Sequence, residues 1–414
     1  MRLPAPVLAI ALVSAIIGNP VGAQWLQGAD EAARLALRPV CADPKDREKL
    51  IAKMKEQGGE YQERSAKWDI DITCEQIELP TKPVFDTADP SDAATHRDGI
   101  NDARWSADGK FIVTASADKT VRIWEFATGK TVKRIDVAAL PASKPAIYQG
   151  VPRAARFLDD RSIVVAADGH PIRIFDVATG GTIADIPFRP DPREEVPPPM
   201  VTSSKGLVIL GGQGSDIVAH DVKAKSERYR VPGTREGYPH FAISDDAGLL
   251  AIALPGRPGH IRVQVLELET GKPVWSFDAR TATDHDSQPG SIALSRDGRL
   301  LAVDVDALIL VYDVANKKPV TRIPAHPYFA GRNLNFTADG KAIIGGVTHA
   351  MLTDIATGKR IRQFGPFSDN FHAADVSPDG KYLVTGHLGS DGRIWEIDTG
   401  SFYRRLGKDV SPPR

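Results

Sequence analysis

Residues 96–129 read HRDGINDARWSADGKFIVTASADKTVRIWEFATG. Two landmarks stand in this stretch. Ser106-Ala107-Asp108-Gly109 is a tight turn followed directly by the apolar run Phe111 to Ala115. A second apolar strand then ends at Trp124, and Thr128-Gly129 turns the chain again. Asp closes such turns through its own side chain, and Gly accepts positive φ without steric cost.

Both landmarks recur in the same order. The first returns as Ser295-Arg296-Asp297-Gly298, Thr337-Ala338-Asp339-Gly340 and Ser377-Pro378-Asp379-Gly380. Looser versions are Leu158-Asp159-Asp160-Arg161, Ser203-Ser204-Lys205-Gly206 and Ser244-Asp245-Asp246-Ala247. Six intervals lead from Asp108 to Asp379, with a mean of about 45 residues, and that period suits four short strands with their turns. The second landmark returns as Thr179-Gly180, Thr270-Gly271, Thr357-Gly358 and Thr399-Gly400, four residues after Phe175, Leu266, Thr353 and Trp395. Asn316-Lys317 holds the register after Tyr312, and Ala224-Lys225 holds only the spacing after His220.

The runs between landmarks choose the architecture. Phe111 to Ala115, Ser162 to Ala167, Leu207 to Leu210, Leu249 to Leu254 and Leu300 to Val303 are nearly all apolar. A strand with one wet face alternates, whereas a strand buried on both faces reads as a continuous run. A sandwich of two sheets would leave one face wet. Small sheets packed radially bury both. The sequence therefore predicts an all-β, seven-bladed β-propeller, with blades near 97–135, 148–188, 199–231, 238–277, 288–323, 331–364 and 371–406. Phe402 to Leu406 supplies an outer strand to the last blade. The ring closes either by packing of first against last blade or by a strand from about Ile77 to Val84 added to an edge.

The first repeat resembles a WD40 repeat. His96, the Asp108-Gly109 turn, Ala115-Ser116-Ala117-Asp118 and Arg122-Ile123-Trp124 carry the likeness. The resemblance implies a buried hydrogen-bonded set of His96, Ser116, Asp118 and Trp124. In it Asp orients His, His reaches the hydroxyl, and the hydroxyl meets the indole N–H. It covers residues 96–406, but later repeats keep only parts of it. The last retains Trp395 with Asp391 closer to it, the sixth retains His326, and the fifth retains Asp306.

The flanking segments differ in kind. Arg2, an uncharged apolar run from Pro6 to Gly18 and the small residues Val21-Gly22-Ala23 read as a signal peptide 1–23, cut after Ala23. An uncut anchor is the alternative, but the run is short for a span of about 20 residues. These features predict a periplasmic or secreted protein that is not an integral membrane protein once the signal is removed. Residues 24–95 form a partly helical cap and linker. Ala29 to Leu37 has helical composition, and Asp43-Pro44 opens a helix running to about Gln57. That helix either caps the propeller or docks a partner. The only cysteines, Cys41 and Cys74, suit a disulfide in an exported chain; two buried thiols or a metal pair are the alternatives. Residues 407–414 form a tail.

No catalytic signature emerges, and no cofactor or metal is expected. The chain lacks a G-x-S-x-G elbow, an H-E-x-x-H pair and a P-loop. With 52 basic against 53 acidic residues, it has no overall basic field to attract nucleic acid. Gly211-Gly212-Gln213-Gly214 reads as a strand turn, and Asp284-His285-Asp286 as a solvated loop. Arg153, His240, Arg332 and His372 stand near the starts of innermost strands, around one mouth of the channel. With Asp102 they are the candidate ligand or partner site. The links 136–147, 189–198 and 278–287 are long, and all join an outer strand to the next inner one, so they open on one face. The expectation is a non-catalytic scaffold binding a protein or peptide through that loop-rich rim. The alternative is an enzyme or small-molecule binder at the channel mouth, as in propellers resembling lactonases and quinoproteins.

Overall fold

The computed structural model describes residues 40–49, 51–52, 74, 95–188, 197–280, 289–305, 308–324, 333–346, 350–365, 371–389 and 391–407. The expected signal peptide, the helix over 29–37, the strand over 77–84, most of the links 189–198 and 278–287 with Asp284 to Asp286, Asp306, His326, Arg332 and the tail beyond 407 lie outside these residues.

Twenty-eight described strands form seven antiparallel sheets of four. Each sheet is a simple up-and-down meander. The blades span Ile100–Asp136, Pro152–Ile186, Met200–Val231, His240–Arg280, Pro289–Pro324, Asn335–Phe364 and Phe371–Arg405. The first strands of successive blades touch one another all the way round, and the last blade's first strand touches that of the first. The chain is a seven-bladed β-propeller, with the first strand of each blade innermost.

The turn chemistry works as the residue types imply. Ser106 Oγ donates to Asp108 Oδ1 at 2.7 Å and accepts from the Phe111 N–H at 2.9 Å. Ser295, Thr337 and Ser377 repeat this pair of bonds. In the two looser turns that open on a serine, the hydroxyl reaches the next blade instead. Ser203 Oγ donates to Asp245 Oδ1 at 2.5 Å, and Ser244 Oγ to the Arg296 carbonyl at 2.6 Å. The second turn needs a left-handed residue. Gly129 supplies it at φ 73°, while Lys225 and Lys317 adopt it at 53° and 54°. The Ala224-Lys225 turn thus keeps the geometry although its residues carry no turn chemistry, at a local cost of about 1 kcal/mol.

Every outer strand carries a β-bulge just after this turn. The register jumps at Val132, Ile183, Arg228, Val274, Val320, Ile361 and Tyr403 in turn. A bulge adds local twist and breaks the flat edge that other strands would pair with. Nothing in the apolar pattern announces it.

Seven apolar clusters fill the seven interfaces between blades. Leu207 to Leu210 is buried throughout, as the unbroken run predicts. The ring closes by packing, since all four strands of blade 7 come from the C-terminal end of the propeller. Ile100, Trp105 and Trp124 of blade 1 pack on Ala373, Val384, Ile394 and Leu406. Phe126, Tyr382 and Tyr403 cluster at the outer end of this seam. Arg404 Nη1 donates to the Ala127 carbonyl at 2.6 Å, and Gly407 N–H to the Gly129 carbonyl at 2.8 Å.

Ahead of the propeller, residues 44–49 and 51–52 are helical. Asp43 Oδ1 accepts the Lys45 N–H at 2.9 Å, as an N-cap before Pro44 should. Cys41 and Cys74 form a disulfide, and both are buried.

Replacing Arg404 with Ala removes the charged donor that ties blade 7 to blade 1. A loss of about 1–3 kcal/mol is expected. Urea denaturation should show it, with hydrogen exchange rising first in the strands flanking the seam.

Candidate functional site

Blade 1 holds a buried chain of hydrogen bonds at the end of the blade where the outer-to-inner links lie. Trp124 Nε1–H donates to Thr114 Oγ1 at 2.8 Å. Thr114 Oγ1 lies 2.7 Å from His96 Nε2, and His96 Nδ1 lies 2.9 Å from Asp118 Oδ2. The indole can only donate and the carboxylate can only accept, so the chain runs one way. Thr114 donates to Nε2, and Nδ1–H donates to Asp118. Among the described residues Thr114 Oγ1 has no other acceptor for its own proton, so the imidazole is neutral, with its proton on Nδ1. Asp118 also accepts from the Thr120 hydroxyl and from the Arg97 and Thr120 N–H groups.

The hydroxyl in the chain corrects the sequence reading. It belongs to Thr114 and not to Ser116. Ser116 Oγ donates to the Asp98 carbonyl at 2.9 Å and accepts the Asp118 N–H at 3.1 Å, so it shapes the adjoining turn. Both residues point to the same side of one strand, and alternation cannot separate them. Blade 7 builds a similar unit by another route. Trp395 Nε1–H donates to Thr385 Oγ1 at 2.9 Å, and that hydroxyl lies 2.7 Å from His387 Nε2. Here the imidazole comes from the end of the blade's own second strand. Asp391 turns instead to Arg393 at 2.7 Å and Arg405 at 3.2 Å.

Around the channel, charged side chains on inner strands join blades 7, 1 and 2. Asp102 accepts the Ala155 N–H at 3.0 Å, pairs with Arg104 at 3.2 Å and also with Arg156. Arg104 Nη1 donates to the Ala374 carbonyl at 2.9 Å and faces Asp375 at 3.6 Å. Asp375 Oδ2 accepts the Trp105 N–H at 2.9 Å. Desolvation brings the Arg156 guanidinium down to about 10, opposed by Asp375. Burial likewise raises the Asp375 carboxyl, against the pull of Arg104, the Trp105 N–H and Arg156. The carboxylates are engaged by guanidinium and amide groups from neighbouring blades, an arrangement that fixes blades. Asp102 was a sequence candidate, while Arg104, Arg156 and Asp375 were not. A signal existed: Arg104 and Asp375 each stand two residues before the serine of their Ser-x-Asp-Gly turn, and Arg156 two before Leu158.

The other candidates are spread over the ring. Arg153 of blade 2 grips the buried Asp168 with Nε and Nη2, at 2.9 and 2.6 Å, and lies over the Tyr148 ring at 5.4 Å. His240 opens the inner strand of blade 4. His372 sits in a bulge opening that of blade 7, its carbonyl accepting Asn333 Nδ2 at 2.7 Å. Arg332 is outside the described residues. Among the described residues no three His, Cys, Asp or Glu side chains gather as a metal site would require, and no helix is long and apolar enough to cross a membrane.

The link from blade 1 to blade 2 is pinned to the turn at Asp168-Gly169. Ser143 and Lys144 N–H donate to the Gly169 carbonyl at 2.8 and 3.2 Å, and Gly150 N–H to the Asp168 carbonyl at 2.9 Å. Gln149 Oε1 accepts the Ala146 N–H at 3.0 Å. Between these anchors Ile147 and Tyr148 remain 75% and 61% exposed.

Comparison with known proteins agrees with this geometry. The family model "WD domain, G-beta repeat" matches residues 93–125 and 358–396. Each match ends after the third strand of a blade, so the sequence repeat is staggered against the structural one. The chain is similar to WD repeat-containing protein 90 of Homo sapiens, 25% identical over 323 residues, which is 73% of this chain and 18% of that protein. It is also similar to the serine-threonine kinase receptor-associated protein of Mus musculus, 26% identical over 140 residues, 34% of this chain and 35% of that one. The Gallus gallus protein of that name is 40% identical over 63 residues, 15% of this chain and 18% of its own. The alignments thus span about a third or less of each relative's length. Fold and matches together make the chain a WD40-repeat-like β-propeller, a class that typically serves as a protein-interaction scaffold.

Two outcomes follow for blade 1. Thr114→Val strands a buried indole N–H and an imidazole nitrogen, and should cost about 2–4 kcal/mol, against about 1 kcal/mol for Ser116→Ala. Chemical denaturation of the two variants compares them directly.

The second outcome concerns pH. Burial pulls His96 below its ordinary value of 6.5, with Asp118 pulling the other way. Burial raises Asp118 too, but the bonds from His96, Thr120 and the Arg97 N–H outweigh it and hold the carboxyl well below the usual carboxylate range. The unfolded chain takes up the histidine proton near pH 6.5 while the folded blade refuses it. The stability due to His96 is therefore complete above pH 6.5 and declines as pH falls below it. Asp118 contributes above pH 3.8, and its share is lost only as pH falls toward its depressed folded value. His170 and His220 shift in the same direction, through burial first. The fall in urea midpoint between about pH 7.5 and about pH 5.5 should accordingly be smaller in His96→Asn than in the unaltered protein.

Proposed function

We propose that the protein is an exported, non-catalytic scaffold that captures a protein or peptide partner on the face carrying the outer-to-inner links. The observation that carries this reading is the pinned link 137–151. A loop held by this many hydrogen bonds to its base and within itself has already lost most of its freedom, so binding through it costs little further ordering. At its tip stand Ile147 and Tyr148, an aliphatic and an aromatic side chain held out in water. Residues of these kinds anchor interfaces when a partner desolvates them. Arg153, clamped by Asp168, buttresses the tyrosine ring from beneath.

Export is supported by the signal-like residues 1–23 and by the Cys41–Cys74 disulfide, a bond that persists in oxidising compartments. A mature chain beginning at Gln24 is the product of that processing.

The test is a paired capture from the extracytoplasmic fraction of the producing cell. Unaltered protein and an Ile147→Ser/Tyr148→Ser variant serve as baits, after N-terminal sequencing of the exported chain. The expected result is an N-terminus at Gln24 and a partner retained by the first bait and lost, at least tenfold, by the second. Equal recovery by both baits overturns the rim reading, and a chain retained in the cytoplasm overturns export.

A further inference from the structure

Blade 4 overhangs its neighbour. Its third and outer strands, His260–Glu267 and Pro273–Arg280, have eight residues each, the longest of their kind among the described strands. The corresponding strands of blade 3 have five and six. Leu266 and Leu268 face blade 3 and pack into the apolar cluster between the two blades. The same face continues along the third strand through Gln264, Arg262 and His260. Their cross-strand partners are Ser276, Asp278 and Arg280. Arg262, Ser276, Asp278 and Arg280 are exposed, and the reverse face, with Ile261, Val263 and Ala279, is buried against blade 5. The switch from leucine to arginine thus falls where blade 3 no longer covers the sheet.

This uncovered face is biased in sign. Arg257 in the adjoining turn, His260, Arg262 and Arg280 lie together, with Asp278 as the one acid on these two strands' exposed end. Asp278 is 3.9 Å from Arg257. Among the described residues Arg262 and Arg280 have no ion pair. A face needed only for solubility would mix its charges.

The edge is unusual as well. After its bulge at Val274, the outer strand pairs without interruption from Trp275–Val265 to Arg280–His260, six pairs in succession. The other outer strands manage two to four. Its far side carries no further strand among the described residues. Long regular edges offer a row of N–H and C=O groups to an incoming strand.

We propose that this overhang docks an extended acidic segment of a partner protein, added as a fifth strand to blade 4. Alternate side chains of such a strand lie on one face, about 7 Å apart. Carboxylates at alternate positions then meet Arg280 one strand away, about 4.8 Å, and Arg262 two strands away. A nucleic acid or a lipid headgroup presents negative charge but no peptide ladder, so the edge favours protein. The proposal rests on the protein-binding reading above and adds a second surface to it, with a partner of stated chemistry.

The probe is a fluorescein-labelled (Glu-Val)4 peptide, read by anisotropy on the full exported chain. Controls are the same peptide N-methylated at alternate residues, and a single-stranded DNA 12-mer. Binding of the plain peptide is expected, with at least tenfold weakening by N-methylation. Arg262→Glu/Arg280→Glu should also weaken it at least tenfold, and Arg262→Gln/Arg280→Gln by a smaller factor at unchanged melting temperature. Undiminished binding to the folded glutamine variant overturns the proposal, as does DNA binding as tight as the peptide. Capture through Ile147 and Tyr148 is read separately, so either surface can fail alone.

Discussion

Every blade of this protein buries both faces of its sheet. That constraint produces the rest of the architecture. A four-stranded sheet with two apolar faces cannot stand in water, and a stack of such sheets has two ends that remain wet. Bending the stack into a ring removes the ends. The continuous runs such as Leu207 to Leu210 are the sequence's record of this, since the second strand of each blade is buried from both sides while the outer strands stay partly exposed. Polar chemistry is left to three places: the channel, the two rims and the outer edges.

In the channel the inner strands crowd together, and backbone and side-chain groups there must be satisfied across blade boundaries. Asp102 accepts an amide from blade 2, Asp375 an amide from blade 1, and Ser291 Oγ the Leu334 N–H from blade 6 at 3.1 Å. Arg104 and Arg156 neutralise the two carboxylates. At the outer edges the answer is the recurrent bulge, which spoils most edges as templates. Blade 4 departs from that pattern by continuing its regular pairing well past the bulge.

The ring, its number of blades and their boundaries were legible because turn and strand chemistry are local. Ser-x-Asp-Gly closes on itself whatever surrounds it, and double burial needs no partner to be named. Two things were hidden for physical reasons. Thr114 and Ser116 share one side of a strand, and only depth beneath the indole separates them. The bulges follow from twist demanded by the ring, and no residue type marks them: Val, Ile, Arg and Tyr all occupy the position. The channel cluster was half legible. Asp102 stood out near a strand start, but its partners come into view only when inner strands are aligned on their turns. The rim candidates Arg153, His240 and His372 lie on three different blades, since a shared position in the repeat says which rim a residue occupies and nothing about which neighbour it meets.

The distribution of the Trp–Thr–His unit is itself informative. It is present in blade 1, through Trp124, Thr114 and His96, and in blade 7, through Trp395, Thr385 and His387. These are the two blades that meet at the seam. Elsewhere neighbouring blades are tethered by a short link, whereas the seam must gather chain ends separated by about 300 residues. By loop-closure entropy, that costs roughly 3 kcal/mol more than closing a link of about 10 residues. The interface that lacks a short tether thus needs the stiffest partners. Buried hydrogen-bonded networks supply stiffness, and the chain from Trp124 through Thr114 and His96 to Asp118 has each of its members bonded. Interior blades, held by their links, can keep a tyrosine, a leucine or a threonine at the same position without losing the ring. The two Trp–Thr–His units stand at the seam, where covalent continuity does not help.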